Sequence, residues 1–235
     1  MKRIAIIPAR GGSKRIPKKN IKNFLGKPVI SYSIESALKS HLFDEVMVST
    51  DDDTIASIAK KYGAQVPFLR SPEKSNDFAT TFDVIEEVIL NYKKSGLAFD
   101  EACCIYPTAP FTTPEQLKKF YDFLTSSKFD CVFPILKYSY PIQRGLRVND
   151  TNQMQMISPE NLVTRSQDLE SSYHDAGQFY WFDVEKLMSY KQLWTDNTGA
   201  LEIREMEAHD IDHIEDWEVA EFKYQMLQKQ KTNSK

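Results

Sequence analysis

Along most of the chain, short apolar runs alternate with segments whose apolar residues recur at helical spacing. The first run, Ile4 to Ile7, is continuous and stops at Pro8, as expected for a strand buried on both faces of a parallel sheet. Further strands are predicted at 45–49, 65–69, 102–106 and 131–136, with helices between them that begin near Pro28, Asp51, Phe82 and Pro114. This alternation predicts an α/β fold with a doubly wound, mostly parallel, Rossmann-like sheet and ligands at the carboxyl ends of its strands.

The alternation breaks after residue 136. Residues 137–172 are polar and lack a clear period, although Tyr138, Tyr140, Met154 and Met156 are scattered among them. An irregular segment of this length that carries aromatic residues is more typical of a surface that packs on a partner than of a long surface loop without contacts. We therefore expect an α/β domain made of 1–136 and 173–235, interrupted by an insertion at 137–172.

The aromatic run YHDAGQFYWF follows the predicted insertion and begins at Tyr173. Its composition predicts one strand, weakened by an internal glycine where another group approaches the backbone closely. Strand alternation would put Tyr173 and Asp175 on one face and His174 and Gln178 on the other. Polar groups on both faces indicate that one face borders a pocket. A lone histidine is more often structural than catalytic, so both interpretations stay open for His174.

The loop after the first strand carries the strongest signal for a ligand. Gly11 and Gly12 lack Cβ atoms and let backbone N–H groups approach an anion. Five basic residues surround them: Arg10, Lys14, Arg15, Lys18 and Lys19. The spacing matches neither the Walker A motif nor the dinucleotide-binding fingerprint. The loop suits a triphosphate, and the alternative is a solvated basic turn.

Composition limits the class of ligand and the cellular location that we expect. The chain has 235 residues and a net charge of −3, so its basic cluster is local, and we expect a small anionic ligand and not nucleic acid. No apolar run reaches the roughly 20 residues of a membrane span, and no signal peptide precedes the first strand, which predicts a soluble, cytoplasmic protein. Cys103, Cys104 and Cys131 fit neither a disulfide framework nor a metal site and are interpreted as core residues.

Two acidic residues near the carboxyl end form a second candidate centre. If the backbone is extended, Asp210 and Asp212 lie on one face and can share Mg²⁺, leaving other ligand positions to phosphate and water. A helix would point them nearly opposite ways, but the helical pattern begins only at Ile214. His209 and His213 have the spacing of a helical zinc pair, which needs the helix that the pattern denies, so this alternative ranks lower.

Five segments resemble one known family. PARGGSKRIPKKN, VSTDD, LRSPEKSNDFATT, YPTAP and HDIDHIEDW occur in the order found in the CMP-sialic acid synthetase family of nonulosonate cytidylyltransferases. The resemblance implies transfer of CMP from CTP to a nonulosonic acid with release of pyrophosphate and help from Mg²⁺. It also implies that the insertion forms a homodimer interface and reaches the neighbouring subunit's sugar site.

Residue roles follow from the resemblance position by position. The implied nucleotide-binding residues are Arg10, Gly11, Gly12, Ser13, Lys14, Lys19, Asn20, Thr50, Asp51, Arg70, Tyr106 and Pro107. The candidate sugar-binding residues are Gln143, Arg144, Arg165, Tyr173, His174, Asp175 and Gln178. The catalytic group would be Arg10, Lys14, Asp210 and Asp212, with Mg²⁺ on the two aspartates. Asp51 could equally be a helix cap, and Arg144 and Arg165 could be solvated surface charges.

The sequence is most similar to the pseudaminic acid branch of the family. Sialic acid synthetases usually have Gln where this chain has Tyr106, and Asn-Gly where it has Ala176-Gly177. An N-acetylneuraminate or legionaminate synthetase is therefore the alternative within the family. Outside it, a metal-dependent glycosyltransferase would also use an Asp-x-Asp pair, and a non-catalytic nucleotide-binding dimer would bind CTP without turnover.

Overall fold

A seven-stranded sheet forms the centre of the protein in the computed structural model, which describes residues 1–233. The strands are β1 (Arg3–Pro8), β2 (Asn23–Phe24), β3 (Lys27–Pro28), β4 (Glu45–Ser49), β5 (Glu101–Ile105), β6 (Cys131–Lys137), β7 (Leu146–Val148), β8 (Met154–Met156), β9 (Tyr173–Asp175), β10 (Phe179–Asp183) and β11 (Thr198–Glu202). The helices are α1 (Ile30–Ser40), α2 (Asp53–Lys61), α3 (Thr81–Lys94), α4 (Pro114–Ser127), α5 (Val184–Tyr190) and α6 (Ile214–Asn233).

The strand order of the sheet is β11-β6-β10-β5-β1-β4, and β9 also pairs with β6. β1 runs parallel to β4 and β5, and β11 runs parallel to β6. Only β9 and β10 are antiparallel to their partners within this sheet. The predicted mostly parallel α/β sheet is therefore confirmed. β2 with β3 and β7 with β8 form two hairpins outside it.

Helices cover both faces of the sheet, which explains the continuous apolar run of β1. Ala5 and Ile7 pack in the core formed with α1, α2 and α4, whereas Ile4 and Ile6 pack in the core formed with α3 and α5. All four side chains are fully buried. Since successive residues of a strand point to opposite faces, a strand covered on both sides needs apolar residues at every position.

Helix α6 packs against the β2–β3 hairpin and holds the acidic segment in place. The ring of Trp217 meets the ring of Phe24 edge to face, with centroids 5.6 Å apart. Ile211 is fully buried in the same cluster. Because Ile211 is anchored in this core, its neighbours Asp210 and Asp212 project away from it.

Three expectations about secondary structure were wrong. The segment 65–69 forms a single bridge from Gln65 to Met47 and no strand. Pro28 belongs to β3, and α1 begins at Ile30. The run that begins at Tyr173 is two strands, because Gly177 adopts a φ of +62° and the chain turns between β9 and β10. The predicted two-face alternation therefore ends at this turn.

The remaining sequence predictions concern the cysteines, the insertion and the membrane. Cys103, Cys104 and Cys131 are buried and unpaired, as expected for core residues. Between 137 and 172 the chain forms the β7–β8 hairpin and short 3₁₀ turns. Within residues 1–233, every helix is too short or too polar to cross a lipid bilayer.

Candidate active site

A cavity of about 510 Å³ opens where β1, β4 and β5 end. This is the edge at which open parallel sheets bind ligands. Eight predicted nucleotide-binding residues line it: Arg10, Ser13, Lys14, Lys19, Asn20, Arg70, Tyr106 and Pro107. The structure thus brings together the first loop, the segment that follows Arg70 and the segment that follows β5.

The first loop is held by hydrogen bonds to its backbone. The Asp51 carboxylate accepts a hydrogen bond from the N–H of Gly11 at 2.9 Å, and the buried Asn20 amide donates to the carbonyl of Arg10 at 2.9 Å. Asp51 is therefore not the helix cap. The cap of α2 is Asp52, which accepts from the N–H groups of Thr54 and Ile55.

The two glycines of the loop have different steric surroundings. A Cβ on Gly11 would lie 2.9 Å from Oδ2 and 3.0 Å from Cβ of Asp52, closer than such atoms can approach. A Cβ on Gly12 would meet no other atom within 4 Å. Close packing against the cap of α2 therefore requires glycine at position 11.

Two cations of the loop share one carboxylate. Arg10 donates from Nη1 to Oδ1 of Asp77 at 2.7 Å, and Lys14 donates from Nζ to Oδ2 of Asp77 at 2.5 Å. These hydrogen bonds, first that of Lys14 and then that of Arg10, lower the pKa of Asp77. Asp77 was not among the predicted site residues, although it lies in the segment LRSPEKSNDFATT, which also contains Arg70.

Arg70 is a buried cation in the cavity wall. Its Nε donates to the hydroxyl of Ser49 at 2.9 Å and its Nη2 donates to the carbonyl of Ser49 at 2.5 Å. Burial lowers the pKa of Arg70, and the charges of Asp51 and Glu87 oppose that shift. The guanidinium is thereby fixed at the end of β4.

Thr50 lies behind this wall and not on it. Its side chain is fully buried, and its hydroxyl accepts a hydrogen bond from the N–H of Asp52 at 3.1 Å. The surrounding chain covers the Thr50 side chain, and its nucleotide contact stays a prediction. Its carbonyl accepts from the N–H of Arg70 at 2.8 Å and so helps to position that residue.

Tyr106 forms the opposite wall. Its hydroxyl lies 3.3 Å from the hydroxyl of Thr81 at the start of α3, and burial raises its pKa. Behind it, Tyr180 donates from its hydroxyl to the carboxylate of Asp175 at 2.5 Å. Asp175 also accepts from the N–H of Gly177 at 2.8 Å, which shapes the turn between β9 and β10.

Asp210 and Asp212 are not among the residues that line the cavity, but Asp212 contacts two residues that are. Asp212 forms ion pairs with Arg15 at 2.8 Å and with Lys19 at 3.5 Å. Burial raises the pKa of Asp210, the charge of Asp212 raises it further, and the charge of Lys19 opposes both effects. The two carboxylates are therefore close enough to repel each other.

The backbone around the pair is irregular, since α6 begins only at Ile214. Asp216 accepts hydrogen bonds from the N–H groups of Asp212 and His213 at the start of that helix. His209 and His213 therefore lack the helix that the zinc interpretation requires. Across the described residues, no group of three or more His, Cys, Asp and Glu side chains is placed to hold a metal.

Gln178, which was predicted to contact a sugar, lies inside the protein in this structure. Its side chain is almost fully buried, and both ends of its amide are used internally. Oε1 accepts from the hydroxyl of Thr112 at 3.0 Å, and Nε2 donates to the carbonyl of Glu207 at 2.6 Å. Gln178 instead fixes the chain that leads to Asp210.

The other predicted sugar residues lie on the surface around the insertion. Arg165 pairs with Asp168 at 2.7 Å, and Gln143 donates to the carbonyl of Glu170 at 2.9 Å. Tyr173 and His174 are exposed. Gln143, Arg144, Arg165, Tyr173 and His174 are not among the residues that line the cavity. Within one chain, eight of the predicted nucleotide-binding residues therefore meet at the cavity, whereas these five predicted sugar-binding residues lie away from its lining.

The fold and the cationic cavity are those of a nucleotide-binding α/β protein. A family model described as cytidylyltransferase matches residues 4–230, and the chain belongs to that family. It is 41% identical over 226 residues to a pseudaminic acid cytidylyltransferase of Campylobacter jejuni, and the aligned region covers 96% of this chain and 97% of the relative. It is 32% identical over 231 residues to a CMP-N,N'-diacetyllegionaminic acid synthase of Legionella pneumophila, covering 94% of this chain and 95% of that relative.

Solved structures support the fold. The structure of CMP:2-keto-3-deoxy-manno-octonic acid synthetase complexed with CTP superimposes with a TM-score of 0.70 at 20% identity, over 97% of this chain and 100% of the other. The 4-diphosphocytidyl-2C-methyl-D-erythritol synthase of Anaerococcus prevotii superimposes with a TM-score of 0.61 at 17% identity, over 95% and 98% of the two chains.

The packing of the loop predicts unequal effects of alanine at its two glycines. Gly11→Ala should lower the free energy of unfolding by about 1 kcal/mol, because the new methyl group displaces the capping side chain Asp52. Gly12→Ala is the matched control and should change it by less than about 0.5 kcal/mol. Urea unfolding followed by circular dichroism measures both. Equal stability of the two variants would contradict this packing.

Proposed function

We propose that this protein transfers the cytidylyl group of CTP to pseudaminic acid, giving CMP-pseudaminic acid and pyrophosphate. The position of Lys19 is the observation that carries this proposal. Lys19 lines the cavity, donates from Nζ to the carbonyl of Ile211 at 2.5 Å and lies 3.5 Å from Asp212. The cationic loop and the acidic pair therefore belong to one site. The identity to the Campylobacter enzyme supports pseudaminic acid as the sugar.

The first loop would bind the triphosphate. Arg10 and Lys14 would offer positive charge, and Ser13, which also lines the cavity, would offer a hydroxyl. The hydrogen bonds of Asp51 and Asn20 hold the backbone of the loop before any ligand arrives. A site ordered in advance stabilises developing charge on the phosphates without having to reorganise during the reaction.

Transfer would proceed by direct substitution at the α-phosphorus. The anomeric oxygen of the sugar forms a bond to the α-phosphorus, the bond from that phosphorus to the oxygen bridging to the β-phosphate breaks, and pyrophosphate leaves. The hydroxyl proton passes to solvent or to a phosphate oxygen. The protein forms no covalent bond to the substrates in this scheme. Catalysis therefore depends on aligning the two substrates and on neutralising the charge of the phosphates.

Asp210 and Asp212 fit a divalent cation such as Mg²⁺. Burial and, after it, the charge of Asp212 raise the pKa of Asp210, and a cation held by the two carboxylates would offset both effects. Two carboxylates with phosphate and water oxygens make the ligand set that Mg²⁺ usually takes. When bound, Mg²⁺ would neutralise charge on the phosphates and lower the pKa of the attacking hydroxyl. Arg15 and Lys19 would keep Asp212 oriented.

The turn after β9 would place the sugar next to this pair. A Cβ at Gly177 would lie 3.9 Å from Cγ of Asp210, so this turn borders the acidic segment. Asp175, held by Tyr180 and by the N–H of Gly177, lies beside the same turn. A sugar that reaches Asp210 would therefore pass β9.

We also propose that residues 137–172 form the interface of a homodimer. The insertion exposes apolar side chains that the chain itself does not cover, including Leu146, Val148, Met154, Leu162 and Val163. Exposed apolar residues in one segment are typical of a protein interface. Arg144 and Arg165 would then face the sugar carboxylate in the neighbouring site, where the fork of an arginine suits a carboxylate. Sedimentation equilibrium tests the dimer, and a monomer at micromolar concentration would exclude it.

The reaction and the sugar can be tested together. Pseudaminic acid, N-acetylneuraminic acid, N,N'-diacetyllegionaminic acid and Kdo are each supplied with CTP and Mg²⁺, and pyrophosphate release and product mass are recorded. We expect release with pseudaminic acid and a product mass equal to its CMP conjugate. Release with another sugar alone would keep the reaction and reject the sugar, and no release with any of them would reject the reaction.

Asp210→Asn tests the proposed cation site in the same assay. Loss of one carboxylate at the proposed cation site should reduce turnover by at least about 100-fold, since metal assistance contributes several kcal/mol. Glu218→Gln removes one exposed carboxylate from nearby α6 and should leave turnover unchanged. Circular dichroism should show both variants folded, and retained turnover in Asp210→Asn would reject its role.

A further inference from the structure

The two loop cations assigned to the triphosphate are not free in this structure. Arg10 and Lys14 both hold the carboxylate of Asp77, which lies 63 residues or more away in sequence. The Asp77 side chain remains 44% exposed and Lys14 remains 78% exposed. A single carboxylate thus spans the two cations at the cavity wall, as an oxygen pair of a phosphate would.

A preformed turn presents Asp77 to the loop. The Asn76 side chain accepts hydrogen bonds from the N–H groups of Phe78 and Ala79 at 2.8 and 3.0 Å and donates to the carbonyl of Glu73 at 2.7 Å. Arg10 also donates to the carbonyl of Asn76 at 3.2 Å. Since these bonds leave out the Asp77 carboxylate, neutralising it should leave the turn in place.

Lys74 also lines the cavity, but its carboxylate partner has a structural role. It donates to Asp83 at 2.6 Å, and Asp83 completes the capping box of α3 with Thr80. Breaking that contact would disturb the start of a helix. Among the residues that the structure describes, the Asp77 carboxylate is hydrogen-bonded only to the two loop cations, and it caps no helix.

We propose that Asp77 is an internal competitor for the triphosphate, which holds Arg10 and Lys14 in the free enzyme and releases them when CTP binds. This inference rests on the proposed function, because it takes these two cations to be the triphosphate ligands. The triphosphate carries several negative charges against one on Asp77, so it displaces the carboxylate. Asp77 is ionised at neutral pH, since both cations lower its pKa.

The competition makes Asp77 a determinant of ligand specificity. A ligand whose phosphates reach the loop must replace two ion pairs. Its apparent affinity is its intrinsic affinity multiplied by the fraction of molecules in which the cations are free. Cytidine has no phosphate and leaves Asp77 in place. The competition therefore weakens only those ligands whose phosphates reach Arg10 and Lys14.

Isothermal titration of the whole chain with CTP, pyrophosphate and cytidine tests the proposal. Asp77→Asn keeps the size of the side chain and removes its charge. We expect it to tighten binding of CTP and pyrophosphate by ~2- to 30-fold, the range for loss of two exposed ion pairs, and to leave cytidine binding unchanged. The gain should shrink at high salt, because exposed ion pairs are screened.

Glu73→Gln is the matched control, since it removes one exposed carboxylate from the same segment. It should leave all three affinities unchanged. A gain in affinity cannot come from misfolding, so the expected result separates competition from a structural role. Equal or weaker CTP binding by Asp77→Asn, with CTP binding by the parent chain intact, would overturn this inference alone. Failure of the parent chain to bind CTP or pyrophosphate would overturn the proposed function with it.

Discussion

The path of the first loop depends on the two aspartates that follow β4. Because β1 and β4 are adjacent parallel strands, the loops at their carboxyl ends meet. Asp51 accepts from the N–H of Gly11, and Asp52 lies so close to Gly11 that an added Cβ would have to displace it. The loop is thereby fixed with its basic side chains around the cavity. Without this contact, the chain would have the charges but no defined site for an anion.

The second constraint is the burial of Ile211 between two aspartates. Packing of Ile211 with Trp217 and the β2–β3 hairpin holds Asp210 and Asp212 at the surface beside the cavity. Lys19 then joins the two centres, since it contacts both Asp212 and the backbone of Ile211. A cluster of opposite charges can bind phosphate and a divalent cation together. The acidic segment thus contacts a loop that lies almost 200 residues before it.

The sequence predicted those features whose cause is local. Ile4 to Ile7 had to be a doubly buried strand, and the residues that follow Pro8 had to leave the sheet as a loop. Contacts between distant segments could not be predicted in this way, because no pattern shows that Asp77 meets Arg10 and Lys14. Gln178 was assigned to the wrong environment because the turn at Gly177 directs it inward, where Thr112 and Glu207 use its amide. Gln65 makes strand-like hydrogen bonds to Val46 and Val48 but stands alone, so its short apolar segment never becomes a strand.

A crystal structure of the chain with CTP and Mg²⁺ tests most directly whether the first loop and the acidic pair form one site for CTP, as we propose. We expect the β- and γ-phosphates on the loop at Arg10 and Lys14, with the α-phosphate directed to Asp210 and Asp212. A triphosphate bound outside the cavity, with the loop and the acidic pair both free of it, would contradict the proposed site.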